Sequence, residues 1–147
     1  MSFEFEIRLD KIREEFDQLY EKALDEIAID GKRIGDAMKE QIVLCMLWET
    51  FLRKIEHFCS VLEYHATEAY SAAVSKELQD GYKKTSISEA KEFARADKTY
   101  KYYSAVLLEA QRIKGEAKAV VETITSRKFI LHNMSNLIIA DQENHIL

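Results

Sequence analysis

The residues able to do chemistry are scattered along this chain, and their spacing decides which chemistries are open. Four histidines come first. A di-iron helical bundle needs Glu-x-x-His on facing helices, so that both side chains reach one metal from one face. The residues three before His57, His65, His132 and His145 are Lys54, Leu62, Phe129 and Gln142, so that motif is absent. No Cys/His set has zinc spacing, and no metal site is expected. Gly31, Gly35, Gly81 and Gly115 never gather into a phosphate-cradling loop. Serine, cysteine, histidine and acidic residues show no spacing that favours a catalytic triad. The expectation is a non-enzymatic protein without a cofactor.

Cys45 and Cys59 are fourteen residues apart. On one helix that is about 21 Å, so they cannot bridge each other. Two reduced thiols in an apolar seam are expected.

Basic residues carry more information. Lys84, Lys91, Arg95 and Lys98 stand at seven-, four- and three-residue steps, which puts them on one face of a single helix, and Tyr102 continues that face. A basic row with an aromatic suits a single nucleic-acid strand, through phosphate contacts and base stacking. Lys83, Arg127 and Lys128 extend the row. The competing reading is the ordinary solvated face of a helix. Net charge is −5, which argues against coating nucleic acid by bulk charge. The charge is uneven, however. Residues 1–75 hold 9 basic and 16 acidic side chains, whereas residues 76–128 hold 12 basic and 8 acidic ones. Phosphate binding is therefore expected in the second half.

The elements that must position these residues are long helices. The 147 residues contain no proline, and 32% are charged. A single, mainly α-helical domain of long antiparallel helices with coiled-coil-like seams is expected. Leu9, Ile12, Phe16, Tyr20, Ala23 and Ile27 follow helical spacing, which predicts a first helix over about 9–28. Phe3, Phe5, Ile7 and Leu9 alternate with polar residues, so Phe3–Ile7 is either a short N-terminal strand or the frayed start of that helix. Asp30-Gly31 and Gly35 make a turn, and Asp36 can cap the next helix.

That long helix, about 36–77, holds Met38, Gln41, Cys45, Trp48, Leu52, Ile55, Cys59 and Leu62 at 3-4 spacing, then Ala66, Ala69 and Ala73. This is a heptad seam. Trp48, Leu52, Ile55 and Leu62 are the expected oligomer interface, with Leu44, Phe51 and Phe58 as a second stripe. Ser86 and Glu89 fit a capping box, which starts a second long helix over about 88–132. A bend is expected at Gly115, and residues 133–147 read as a tail. No apolar run is long enough to span a bilayer, and the acidic start lacks a secretory-signal layout. An intracellular protein follows.

Two blocks resemble the UvsY family, the recombination mediators of tailed phages. One is Ala96-Asp97-Lys98, followed by Ser126-Arg127 with Phe129 and Ile130. The other is Ile29-Asp30, followed eighteen residues later by Trp48. The resemblance covers residues 27–135. It implies a ring-like homo-oligomer that binds single-stranded DNA and helps a RecA-like recombinase load onto strands covered by single-strand-binding protein. It also implies the cytoplasm of a phage-infected bacterial host. Family members can carry a Lys-x-Arg pair late in the first long helix, and here those places hold Ser71 and Ala73. The family's tyrosine-rich loop corresponds to Tyr70 or Tyr82. The alternative is a helical oligomeric scaffold or adaptor that binds another protein without DNA.

Overall fold

The computed structural model describes residues 3–80 and 85–144. They form four helices: α1 (Glu4–Ile27), α2 (Ile34–Gln79), α3 (Ile87–Arg95) and α4 (Lys98–Asn144). No strand occurs among the described residues. None of these helices is long and apolar enough to cross a membrane.

Phe3–Ile7 belongs to α1 apart from Phe3, which forms a turn. The strand option is therefore overturned. Phe5, Leu9, Ile12 and Phe16 stand at steps of four, three and four, so the helical stripe already begins at Phe5. The alternation came from Phe3 and Ile7, which face solvent at 68% and 55% exposure.

The turn after α1 needs Gly31. Its φ is +78°, a left-handed conformation that disfavours any side chain. The Lys32 amide donates to the Ile29 carbonyl across it. Asp36 lies in the first turn of α2, where a carboxylate suits the helix dipole.

The chain folds as two compact units. The first comprises Met1–Asp10 and Lys54–Ile113, the second Lys11–Arg53 and Lys114–Leu147. In the first, Ile55, Phe58, Cys59 and Leu62 of α2 are buried with Leu9, Val106, Ala110 and Ile113. The Phe5 ring lies 5.2 Å from His65 and 5.6 Å from Tyr103, centroid to centroid. Arg8 sits 5.1 Å over the Phe58 ring, a cation–π contact. Ala90 and Ala94 are fully buried, so α3 packs through small side chains.

In the second unit, Phe16 of α1 meets Trp48 edge-on at 5.7 Å and lies 5.9 Å from Phe51. Ala117, Val120, Ile124 and Leu131 of α4 complete that core. α2 and α4 run antiparallel here: Gln41 bonds the Ile124 carbonyl, and Arg127 bonds the Ala37 carbonyl. In this unit α2 therefore packs against both α1 and α4 of its own chain.

Candidate nucleic-acid interface

The basic row does not lie on one helix. α3 ends at Arg95, and the Asp97 carboxylate accepts the Tyr100 amide at 3.0 Å, capping a new helix that starts at Lys98. Asp97 is good N-cap chemistry, because its oxygen satisfies a donor the helix leaves open. Ser86 and Glu89 form the expected capping box at the start of α3. Lys91 and Arg95 therefore belong to α3 and Lys98 to α4, and all three are exposed. Lys83 and Lys84 lie outside the described residues, as does Tyr82.

Tyr102 is half-buried rather than displayed with the row. Burial pushes its phenol above the ordinary value, and the carboxylates of Glu6 and Glu4 push the same way. An acidic neighbourhood is a poor place for a phosphodiester. Two further tyrosines, half-buried like Tyr102, stand beside Arg95. This side chain lines a groove of about 390 Å³ in the first unit, together with Glu63, Thr67, Tyr70, Tyr100 and Ser104. The Tyr70 and Tyr100 rings are 5.3 Å apart and tilted by 54°.

Arg127 is a correction of a different kind. It is 2% exposed and cannot reach a phosphate on a strand outside. Its guanidinium donates to the Ile27 carbonyl at 3.1 Å, the Ala37 carbonyl at 3.1 Å and the Gln41 Oε1 at 2.9 Å. A fourth bond goes to Glu40 Oε2 at 3.3 Å. Ile27 is the last residue of α1, so Arg127 satisfies a carbonyl that the helix end leaves open. Gln41, also buried, donates from Nε2 to the Ile124 carbonyl at 2.7 Å. Lys32 closes the cluster, with its ammonium 2.8 Å from Glu40 Oε2 and 3.0 Å from the Glu26 carbonyl. The Lys32 hydrogen bond holds the Glu40 carboxyl below its usual value, and the charges of Lys32 and Arg127 add to it. Chemically this is a clamp: one planar fork of donors joins the end of α1, the start of α2 and the middle of α4.

The sequence carried a signal for it. Ile113, Ala117, Val120, Ile124, Arg127 and Leu131 share one 3-4 stripe, and a cation on an apolar stripe is a buried, partnered charge.

Lys128, the next residue, is exposed in the second unit. It lines a groove of about 620 Å³ with Met38, Ile42, Met46, Phe129 and His132. Trp48, Ile55 and Leu62, expected between subunits, are 1%, 0% and 0% exposed within the single chain. Their apolar surface is taken up by the chain's own core, while Leu52 is half-buried.

Among the described residues, no group of three or more His, Cys, Asp or Glu is placed to hold a metal ion. Neither Cys45 nor Cys59 is joined in a disulfide. No family model, no curated protein and no solved structure matches this chain significantly.

Proposed function

We propose that this chain is a non-enzymatic single-stranded DNA-binding protein of the recombination-mediator kind, which helps a RecA-like recombinase load onto DNA covered by single-strand-binding protein. The observation that carries the proposal is the exposed trio Lys91, Arg95 and Lys98, with Arg95 beside the Tyr70–Tyr100 groove. Cations next to aromatic rings supply both halves of strand binding: phosphate neutralisation and base stacking. The likeness of Ala96-Asp97-Lys98 and of residues 126–130 to the UvsY family supports the same assignment. Arg127 has no part in the contact.

The test is fluorescence anisotropy of a labelled oligonucleotide across a salt series. Three phosphate contacts on a single strand give a slope of about −2 in log K against log salt. The Lys91→Glu/Arg95→Glu double variant should lose binding, and unchanged binding by that variant overturns the assignment.

A second reading, a helical scaffold or adaptor for another protein, is favoured by the apolar groove of the second unit. Ile42, Met46 and Phe129 there are 64%, 66% and 64% exposed. An oligonucleotide-indifferent protein with intact assembly would put this reading first.

A further inference from the structure

We infer that the groove beside Arg95 reads a base: it seats one guanine of a bound strand, with the phosphate on Arg95 and the pairing edge of the base on the carboxylate of Glu63. The inference rests on the DNA-binding proposal and adds a sequence preference to it, carried by a residue that proposal does not use.

The groove has two chemically different ends. His65 of α2 stacks on Tyr103 of α4 at 5.2 Å, and Tyr70 meets Tyr100 at 5.3 Å. The α2 number rises as the α4 number falls, so the two helices run antiparallel in this unit too. Glu63 stands seven residues before Tyr70, and Leu107 seven after Tyr100, so each pair shares a helix face. All four line the groove. Glu63 and Leu107 therefore form one end and the two tyrosines the other, about 10 Å apart along the helices. Arg95 closes α3 five residues before Tyr100, which puts its guanidinium at the tyrosine end.

A cation at one end and a carboxylate at the other select a ligand of matching polarity. The anionic part must lie on Arg95, because a phosphate beside Glu63 is repelled. The part that reaches Glu63 must donate hydrogen bonds, since a carboxylate only accepts them. The part between must be flat enough to lie on a tyrosine ring. A nucleotide has this order of parts: phosphate, sugar, planar base, and donors on the far edge of the base. The space, about 390 Å³, is at the small end of ligand pockets and takes one such unit. The rings set how the base enters. A base held between two rings needs them about 7 Å apart, twice a carbon contact of about 3.5 Å. At 5.3 Å and tilted by 54° they touch each other, so the base lies against the groove face of one ring.

Glu63 then decides which base. On a single strand the pairing edges are open to contact. Guanine presents two adjacent donors there, the ring N–H and the exocyclic amine, and these match the two oxygens of a carboxylate. Bidentate, charge-assisted pairs of this kind are the strong ones. Cytosine and adenine offer the amine beside an acceptor nitrogen, which meets the second oxygen unfavourably. Thymine sets its one donor between two carbonyls. Guanine therefore ranks first and thymine last. The phosphate contacts of Lys91 and Lys98 carry no sequence information, so the chain still binds every strand.

The test is fluorescence anisotropy at one low salt concentration with four labelled strands of equal length: all dT, and dT alternating with dG, with dC or with deoxyinosine. Deoxyinosine keeps the ring N–H of guanine and lacks its amine. Wild type should bind the dG strand about fivefold or more tighter than the all-dT strand, the low end for a bidentate base contact. The dC strand should fall between them, and deoxyinosine should lose most of the gain. Glu63 is exposed on α2, so Glu63→Gln should keep its helical circular dichroism. It should bring the ratio of dG to dT affinity to about one, against about five in the wild type. Equal affinity of the wild type for all four strands overturns the inference and leaves the DNA-binding proposal standing. A dG preference that survives Glu63→Gln does the same. Failure to bind any of the strands overturns both.

Discussion

Arg127 shows how one side chain can be misread from its charge and read correctly from its spacing. As a cation close to Lys128 it looked like part of a phosphate-binding surface. As the residue between Ile124 and Leu131 it had to point inward. Its four bonds hold three chain segments, and its loss leaves the Ile27 carbonyl and the Gln41 amide oxygen short of a donor and takes from the Ala37 carbonyl its partner outside α2. Each orphaned buried group costs about 1–3 kcal/mol. Arg127→Ala is therefore expected to lower unfolding free energy by about 3 kcal/mol or more in urea titration. Arg127→Lys should recover little, because an ammonium cannot reproduce a planar fork. A phosphate contact would behave oppositely, losing DNA binding at constant stability. Glu40 adds a pH dependence. Its folded carboxyl titrates below the ordinary 4.5, so its contribution is present above that value and fades as pH falls through the lower, folded one. Stability should be level near neutral pH and fall on the acid side of about 4.5, and Glu40→Gln should show a shallower acid fall. An unchanged acid limb would remove Glu40 from the clamp.

At the scale of elements, what was legible followed from apolar period and capping chemistry. The long α2, the Gly31 turn and the Ser86–Glu89 box all follow from residues that leave little choice. The break between α3 and α4 was harder to see. It uses neither glycine nor proline; Ala96 ends one helix, and Asp97 starts the next by capping Tyr100. An aspartate within a helical period gives no warning until the backbone turns. Asp97→Ala should cost about 1 kcal/mol through loss of that cap. Gly115 bears on α4, which is helical from Lys98 to Asn144. A Cβ built at Gly115 meets nothing within 4 Å. Gly115→Ala should therefore stabilise by about 1 kcal/mol, from the helix propensity difference alone. That corresponds to a rise of about 2–4 °C in melting temperature for a chain of this size. A fall instead would reveal a close neighbour at that position, such as a second chain.

At the scale of the molecule, the residues assigned to DNA and the apolar groove beside the start of α2 fall in different units. Lys91, Arg95 and Lys98 belong to the first, whereas Ile42 and Phe129 belong to the second. The seam read from the heptads is real as a period, but periodicity cannot say whose core it fills. Trp48, Ile55 and Leu62 fill the chain's own, while Met38 of the same seam stays exposed. This division makes the DNA-binding and adaptor readings separable. Lys91→Glu/Arg95→Glu should abolish oligonucleotide binding while the light-scattering mass stays that of the wild type. Its salt slope should flatten from about −2 toward zero, because the phosphate contacts that release counterions are gone. A slope that survives the double charge reversal would mean that phosphates are met elsewhere on the chain, and the assignment to Lys91 and Arg95 would fail.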